Sequence, residues 1–153
     1  MAFRAADIKW FQSALPGSIG GVISATPIPS NIPSGLLPTV PRQALEDGRV
    51  DYVKVFVKNA NPSDESLYDP AVFILLQPTA NERIAIALGT ATDTDGSALV
   101  YGQPASKQTA LAFPSLAAGE SQAIWIRRQV LAGQQLFETS AFQLAVFGFG
   151  PSE

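Results

Sequence analysis

Residues 50–76 read VDYVKVFVKNANPSDESLYDPAVFILL, two apolar runs joined by a polar, turn-rich segment. In the first run Val53, Val55 and Val57 fall on one face, and Tyr52, Lys54, Phe56 and Lys58 on the other. A period of two marks a strand with one core face. On the second face lysine stems can cover the rings while their ammonium groups stay wet. The second run, Ala71 to Leu76, is apolar on both faces and is bounded by Pro70 and Pro78. That pattern suits a strand buried on both sides. The segment between, Asn59 to Asp64, is a turn cluster. The stretch predicts the central β pairing of an all-β domain.

Further strands follow it. Arg83 to Gly89 puts Ile84, Ile86 and Leu88 on one face and a flat row of Ala85 and Ala87 on the other, where something can pack closely. Gln122 to Gln129 points Ile124 and Ile126 to the core and places Trp125 beside Arg127 on the opposite face, where a guanidinium can stack on indole. Of the adjacent pair Arg127-Arg128, a strand-end salt bridge is the expected role. Ser140 to Gly148 is the last strand, with Phe142, Leu144 and Val146 inward and Phe147 outward. Ala98 to Tyr101 and Gln108 to Phe113 are weaker candidates. Asp93 and Asp95 with Gly96 resemble the start of a calcium loop, but Gly102 stands where the closing acid belongs, and Asp-Gly is a strong turn signal. Short strands punctuated by turns indicate a sandwich or barrel.

Upstream the chain changes character. From Gln12 to Pro41 no residue is charged, and Pro16, Pro27, Pro29, Pro33, Pro38 and Pro41 recur through it. Proline at this density forbids helix and drives its neighbours to extended geometry. Yet Ile19, Val22, Ile23, Ile28, Ile32, Leu36, Leu37 and Val40 are too apolar for a disordered linker. The expected organisation is an extended N-terminal arm over residues 1–48, ending in a short helical turn at Pro41 to Gly48, and a β-sandwich over residues 49–153. Fully extended, residues 12–41 alone reach roughly 100 Å, so the arm can lie along its own body as edge strands or cross to a neighbour. A short strand around Gly20 to Ala25 fits within it. Trp10 and Phe11 mark a docked terminus. The residues expected at partner interfaces are Trp10, Phe11, Ile28, Ile32, Leu36, Leu37, Phe73 and Trp125.

Composition narrows the chemistry. The 153 residues include no histidine and no cysteine. Ser-His and Cys-His nucleophiles, thiol chemistry and disulfides are therefore excluded. The acid pairs Glu46-Asp47, Asp64-Glu65 and Asp93/Asp95 fall in predicted turns or helix ends, where acids are favoured for local reasons. Gly17-Ser18-Ile19-Gly20-Gly21 lacks the lysine of a phosphate loop, and Lys107 near Ser106 has no support as a nucleophile pair. No catalytic, cofactor or metal residues are assigned, and the expected protein is not an enzyme. A net charge of −3 supplies no basic footprint for nucleic acid. No apolar run approaches the ~18 residues of a membrane span, and Arg4, Asp7 and Lys9 interrupt any signal-peptide core. Charged residues are only 15% of the chain, which leaves uncharged surface that suits contact with other proteins.

Four stretches carry a resemblance: Phe11-Gln12-Ser13-Ala14 with Gly20-Gly21, VDYVKVFVKN at 50–59, ALGTATDT at 87–94, and LAAGESQAIWIRR at 116–128. Together, over about residues 8–148, they resemble small virion structural proteins of tailed bacteriophages. The resemblance implies an immunoglobulin-like or jelly-roll-like antiparallel β-sandwich with an extended N-terminal arm. It implies a capsid decoration (cement) protein of the virion, on the capsid exterior, assembled in the host cytoplasm. Such a protein binds the major capsid protein and commonly forms a homo-oligomer, a trimer in particular. A neck or tail component is the alternative. A carbohydrate- or receptor-binding module would need exposed aromatics, for which Tyr52, Tyr101 and Trp125 are the candidates.

Overall fold

The computed structural model describes residues 7–15, 20–28, 49–76, 82–130 and 143–149. The chain is an all-β antiparallel sandwich. Its strands are β1 (Ile8–Ser13), β2 (Ile23–Ile28), β3 (Arg49–Asn59), β4 (Tyr68–Leu76), β5 (Glu82–Leu88), β6 (Leu111–Ala112), β7 (Ser121–Val130) and β8 (Gln143–Phe149). One sheet has the order β2-β1-β3-β7-β5 and the other the order β6-β4-β8.

The alternation in β3 does what it predicts. Val53, Val55 and Val57 join Ile84 and Ile86 of β5 and Ile124 and Ile126 of β7 to form the inner face of the larger sheet. Val72 and Ile74 of β4 meet them from the smaller sheet, and Leu67, Phe113 and Leu116 complete the core. Each such side chain contributes roughly 1.5–3 kcal/mol on burial. β3 and β4 are central strands, but they do not pair with each other as expected. Each lies in the middle of its own sheet, and the segment from Ala60 to Ser66 crosses between the sheets. The apolar character of both faces of β4 explains this: Val72 and Ile74 serve the core, while Phe73 packs edge-on against Phe147 at 6.2 Å between centroids. Asn59 ties the crossing down. Its fully buried amide donates to the Glu65 and Leu116 carbonyls, and its side-chain oxygen accepts from the Asn61 N–H.

The strand order decides between the two expected sandwiches. β1, β3, β7 and β5 follow the immunoglobulin order A-B-E-D, and β4 and β8 stand as C and F of the facing sheet. A jelly roll would order them differently.

The expected boundary at residue 48 does not hold for the described part of the arm. β1 pairs with β3 from Ile8 opposite Asn59 to Gln12 opposite Val55, and β2 pairs with β1. Both are strands of the larger sheet, because Ile8, Trp10 and Ile28 find apolar cover on the core there. Pro27 is tolerated since β2 is an edge strand, where a missing N–H breaks no ladder. The helical turn expected at residues 41–48, the outer part of the arm and Phe142 lie outside the described residues. Of the weaker candidates, Leu111–Ala112 is a two-residue strand, whereas residues 98–101 form a turn and a loop.

Candidate functional site: the capped face of the larger sheet

The outer face of the larger sheet is where polar and aromatic chemistry collects. Antiparallel pairing sets Lys54 opposite Trp125, Tyr52 opposite Arg127, and Ala87 opposite Trp125 on its other side. Over them lies the segment from Gly89 to Gly102, which follows β5 and folds back onto the sheet. Gly102 pairs with Ile86 through both backbone bonds. Ala85 and Ala87, the flat alanine row, are both buried.

Trp125 is the floor of the cap and is only 1% exposed. Gly89 and Gly96 touch it directly, since a Cβ on either would stand 2.6 Å from indole atoms. Its indole N–H donates to Asp93 Oδ2 at 3.0 Å. The Tyr101 hydroxyl donates to the Gly96 carbonyl, its ring leans on Tyr52, and the Arg127 guanidinium lies 5.0 Å above it. The guanidinium therefore stacks on Tyr101, not on Trp125 as expected. It is the Lys54 ammonium that stands near the indole, 5.8 Å from the ring centroid. Burial, with the neighbouring Tyr52, raises the Tyr101 phenol well above its ordinary range.

Lys54 is the hub. Sequence places it on the outer face with a wet ammonium, yet it is 0% exposed. Its Nζ forms an ion pair with the Asp93 carboxylate and donates to the backbone carbonyls of Asp93 at 2.9 Å and Gly21 at 2.7 Å. Lys58, by contrast, behaves as expected, half-buried with its head over Phe11. Asp93 also accepts from the Thr90 N–H, while the Thr90 hydroxyl accepts from the Asp93 N–H, which closes a tight turn. Partial burial pushes the Asp93 carboxyl upward. The hydrogen bonds from Lys54, Thr90 and Trp125 and the Lys54 charge outweigh it and hold the group below the usual carboxylate range.

The N-terminal hairpin is fastened to the same point. The Gly21 N–H donates to the Asp93 carbonyl, and Gly20 passes so close to Thr94 that a Cβ would stand 2.9 Å from its Cα. Gly20 and Gly21 have φ of 143° and 89°, which glycine adopts readily. The calcium-loop likeness dissolves in this geometry. Asp93 faces an ammonium, and Asp95 accepts from the Ser97 N–H to make a local turn. Among the described residues, no group of three or more acid, histidine or cysteine side chains is placed to hold a metal ion.

The residues expected at interfaces separate into three groups. Trp10, Phe11 and Ile28 are half-buried on the chain's own sheet, Trp10 directly opposite Ile28. Phe73 and Trp125 are buried within the chain, so their surface is already occupied. Ile32, Leu36 and Leu37 lie outside the described residues. Arg128 makes the expected salt bridge, to Asp51 at 2.6 Å. Lys54, Asp93 and Asn59 went unnoticed as structural centres. The one signal for Lys54 and Asp93 is indirect: a lysine beside aromatics on a strand, and an acid within a glycine-bounded turn.

Several of the exposed large apolar residues lie at the ends of the sandwich. Tyr68 pairs with Phe149, and they are 46% and 63% exposed. Val50 begins β3 and Leu75-Leu76 end β4, so chain direction puts these exposed residues at the opposite end. No family model, curated protein or solved structure matches the chain.

Proposed function

We propose that this is a non-enzymatic structural protein of a tailed-bacteriophage particle, a capsid decoration protein that binds the major capsid protein and stabilises the shell. The observation that carries the reading is the pair of exposed apolar ends, Tyr68 with Phe149 at one and Val50 with Leu75 and Leu76 at the other. A rigid body with exposed apolar anchors at both ends is suited to bridge neighbours, and apolar or aromatic anchors give such contacts most of their energy. Two buried cations are held in internal pairs, Lys54 with Asp93 and Arg128 with Asp51, and Tyr52, Tyr101 and Trp125 are spent on packing. That use of the aromatics speaks against the carbohydrate-binding alternative.

Copy number tests the position. Labelled protein in purified particles is expected over the whole head; a few copies at one vertex would move the assignment to the neck or tail. The double substitution Tyr68→Asp with Phe149→Asp is expected to leave the body folded and to abolish attachment to particles. Undiminished attachment would remove the end-contact argument.

A further inference from the structure

Lys54 and Arg128 each have an acid of their own, Asp93 and Asp51. Arg127 has none among the described residues, and its Nε–H is shut off from water without an acceptor there. What holds it is the face of Tyr101, 5.0 Å away, with Tyr52 opposite it on β3. A guanidinium laid on a ring keeps its fork in place while its charge stays uncompensated.

A charge of the other sign stands close by. Asp95 is exposed, and its carboxylate is engaged only locally, by the Ser97 N–H and side chain. The next residue, Gly96, lies against Trp125 and accepts from the Tyr101 hydroxyl. Trp125 and Arg127 are same-face neighbours on β7, roughly 7 Å apart. Acid and base therefore flank Tyr101, the acid toward its hydroxyl, and both act on the phenol, in opposite directions. The surface around them is apolar. The Leu99 N–H donates to the Gly96 carbonyl, and Gly102 pairs with Ile86, so the tip of the cap is pinned at both ends. That tip presents Val100, which is 94% exposed; on the sheet beside it Val50 is exposed and Tyr52 half-buried. An apolar side chain held out on a fixed loop has little freedom left to lose when a partner covers it.

We propose that this face joins two copies of the chain about a two-fold axis at the cap. Arg127 of each copy pairs with Asp95 of the other, and the two Val100 side chains are covered between them. The charge pattern selects a second copy over a foreign partner. An acidic partner satisfies Arg127 but is repelled by Asp95, and a basic one meets the reverse. A face that carries both signs at separate places is complementary to itself under a two-fold rotation. The apolar and aromatic cover strengthens each pair relative to one in open water.

Sedimentation equilibrium of the full-length protein between about 10 µM and 1 mM tests this. A monomer–dimer equilibrium is expected, weakened by added salt. Arg127→Glu and Asp95→Arg each set like charges together and should each raise the dissociation constant at least about tenfold. Combining them exchanges the signs and should return it toward the parent value. Val100→Asp, at a position that touches little of its own chain, should abolish the dimer. Unchanged tryptophan emission shows that the cap of each variant is in place; if Asp95→Arg disturbs it, Arg127→Glu and Val100→Asp decide. A monomer at every concentration overturns the proposal. So does self-association indifferent to Arg127→Glu and Val100→Asp, or a double variant with an intact cap that is no tighter than the single ones. The inference is independent of the virion role: it concerns the isolated protein, and either can fail alone.

Discussion

The Lys54 ammonium donates to the Gly21 carbonyl at 2.7 Å, across thirty-three positions of sequence. One buried cation on β3 thus holds the turn of the N-terminal hairpin, while its ion pair with Asp93 holds the cap over Trp125. The hairpin and the cap are stabilised together.

Lys54→Met removes that cation and leaves an acid and two carbonyls without it. Removing one partner of a buried pair costs on the order of 3–5 kcal/mol, and the lower end applies because Asp93 is 22% exposed. Adding Asp93→Asn to Lys54→Met is expected to recover part of the loss, by about 1–2 kcal/mol of coupling. Urea midpoints of the four proteins measure it. A strictly additive cycle would show that the two groups do not act as a pair.

The pH dependence follows from the depressed Asp93 carboxyl. A group whose folded value lies below its unfolded value contributes stability that is fully present above the unfolded value, ~3.9. The contribution is lost as pH falls through the folded value. Stability should therefore fall below about pH 4, and Asp93→Asn should flatten that fall. Asp95, lowered by its hydrogen bonds to the Ser97 side chain and N–H, acts in the same direction. Asp95→Asn is the matched control, expected to change the slope less because it anchors only a local turn.

Gly96→Ala is expected to lift the cap, because its Cβ would stand 2.6 Å from the rigid indole of Trp125. Overpacking of this kind costs about 1–3 kcal/mol. The tryptophan emission should shift to the red as water reaches the ring. Gly102→Ala, where only Pro104 Cδ comes as near as 4.0 Å, should fall within about 0.5 kcal/mol of the parent.

Deletion of residues 1–41 separates no free arm from an intact body. It removes β1 and β2, strips the ladder from β3, and uncovers the core flank that Ile8, Trp10 and Ile28 protect. The expected result is loss of the cooperative thermal transition. A truncated chain that melts like the parent would show that β1 and β2 contribute nothing to the body.

The inner faces were open to sequence reading, and their outer cover was not. Alternation in β3 and β7 correctly assigned Val53, Val55, Val57, Ile124 and Ile126 to the core, since period-two patterning reports which face is apolar. It equally sent Lys54 and Trp125 outward, and there the inference stopped: outward is not exposed when a later segment folds over the sheet. That segment, residues 89–102, owes its position to two glycines and one aspartate, whose turn signals carry no address. Pairing was obscured for a similar reason. Two adjacent strands suggested a hairpin, but Asn59 binds the Leu116 carbonyl and anchors a crossing instead. In β2 the proline read as a marker of an extended arm, whereas an edge strand accepts Pro27.

The anchoring of the first hairpin by Asp93 has a consequence for synthesis. β1 and β2 leave the ribosome long before their attachment point exists, and even β3, the ladder partner of β1, begins only at Arg49. The nascent hairpin must wait, its greasy side uncovered, until Asp93 emerges. Such distant pairings fold slowly, so translation speed across residues 50–93 should govern how much newborn chain is lost to aggregation.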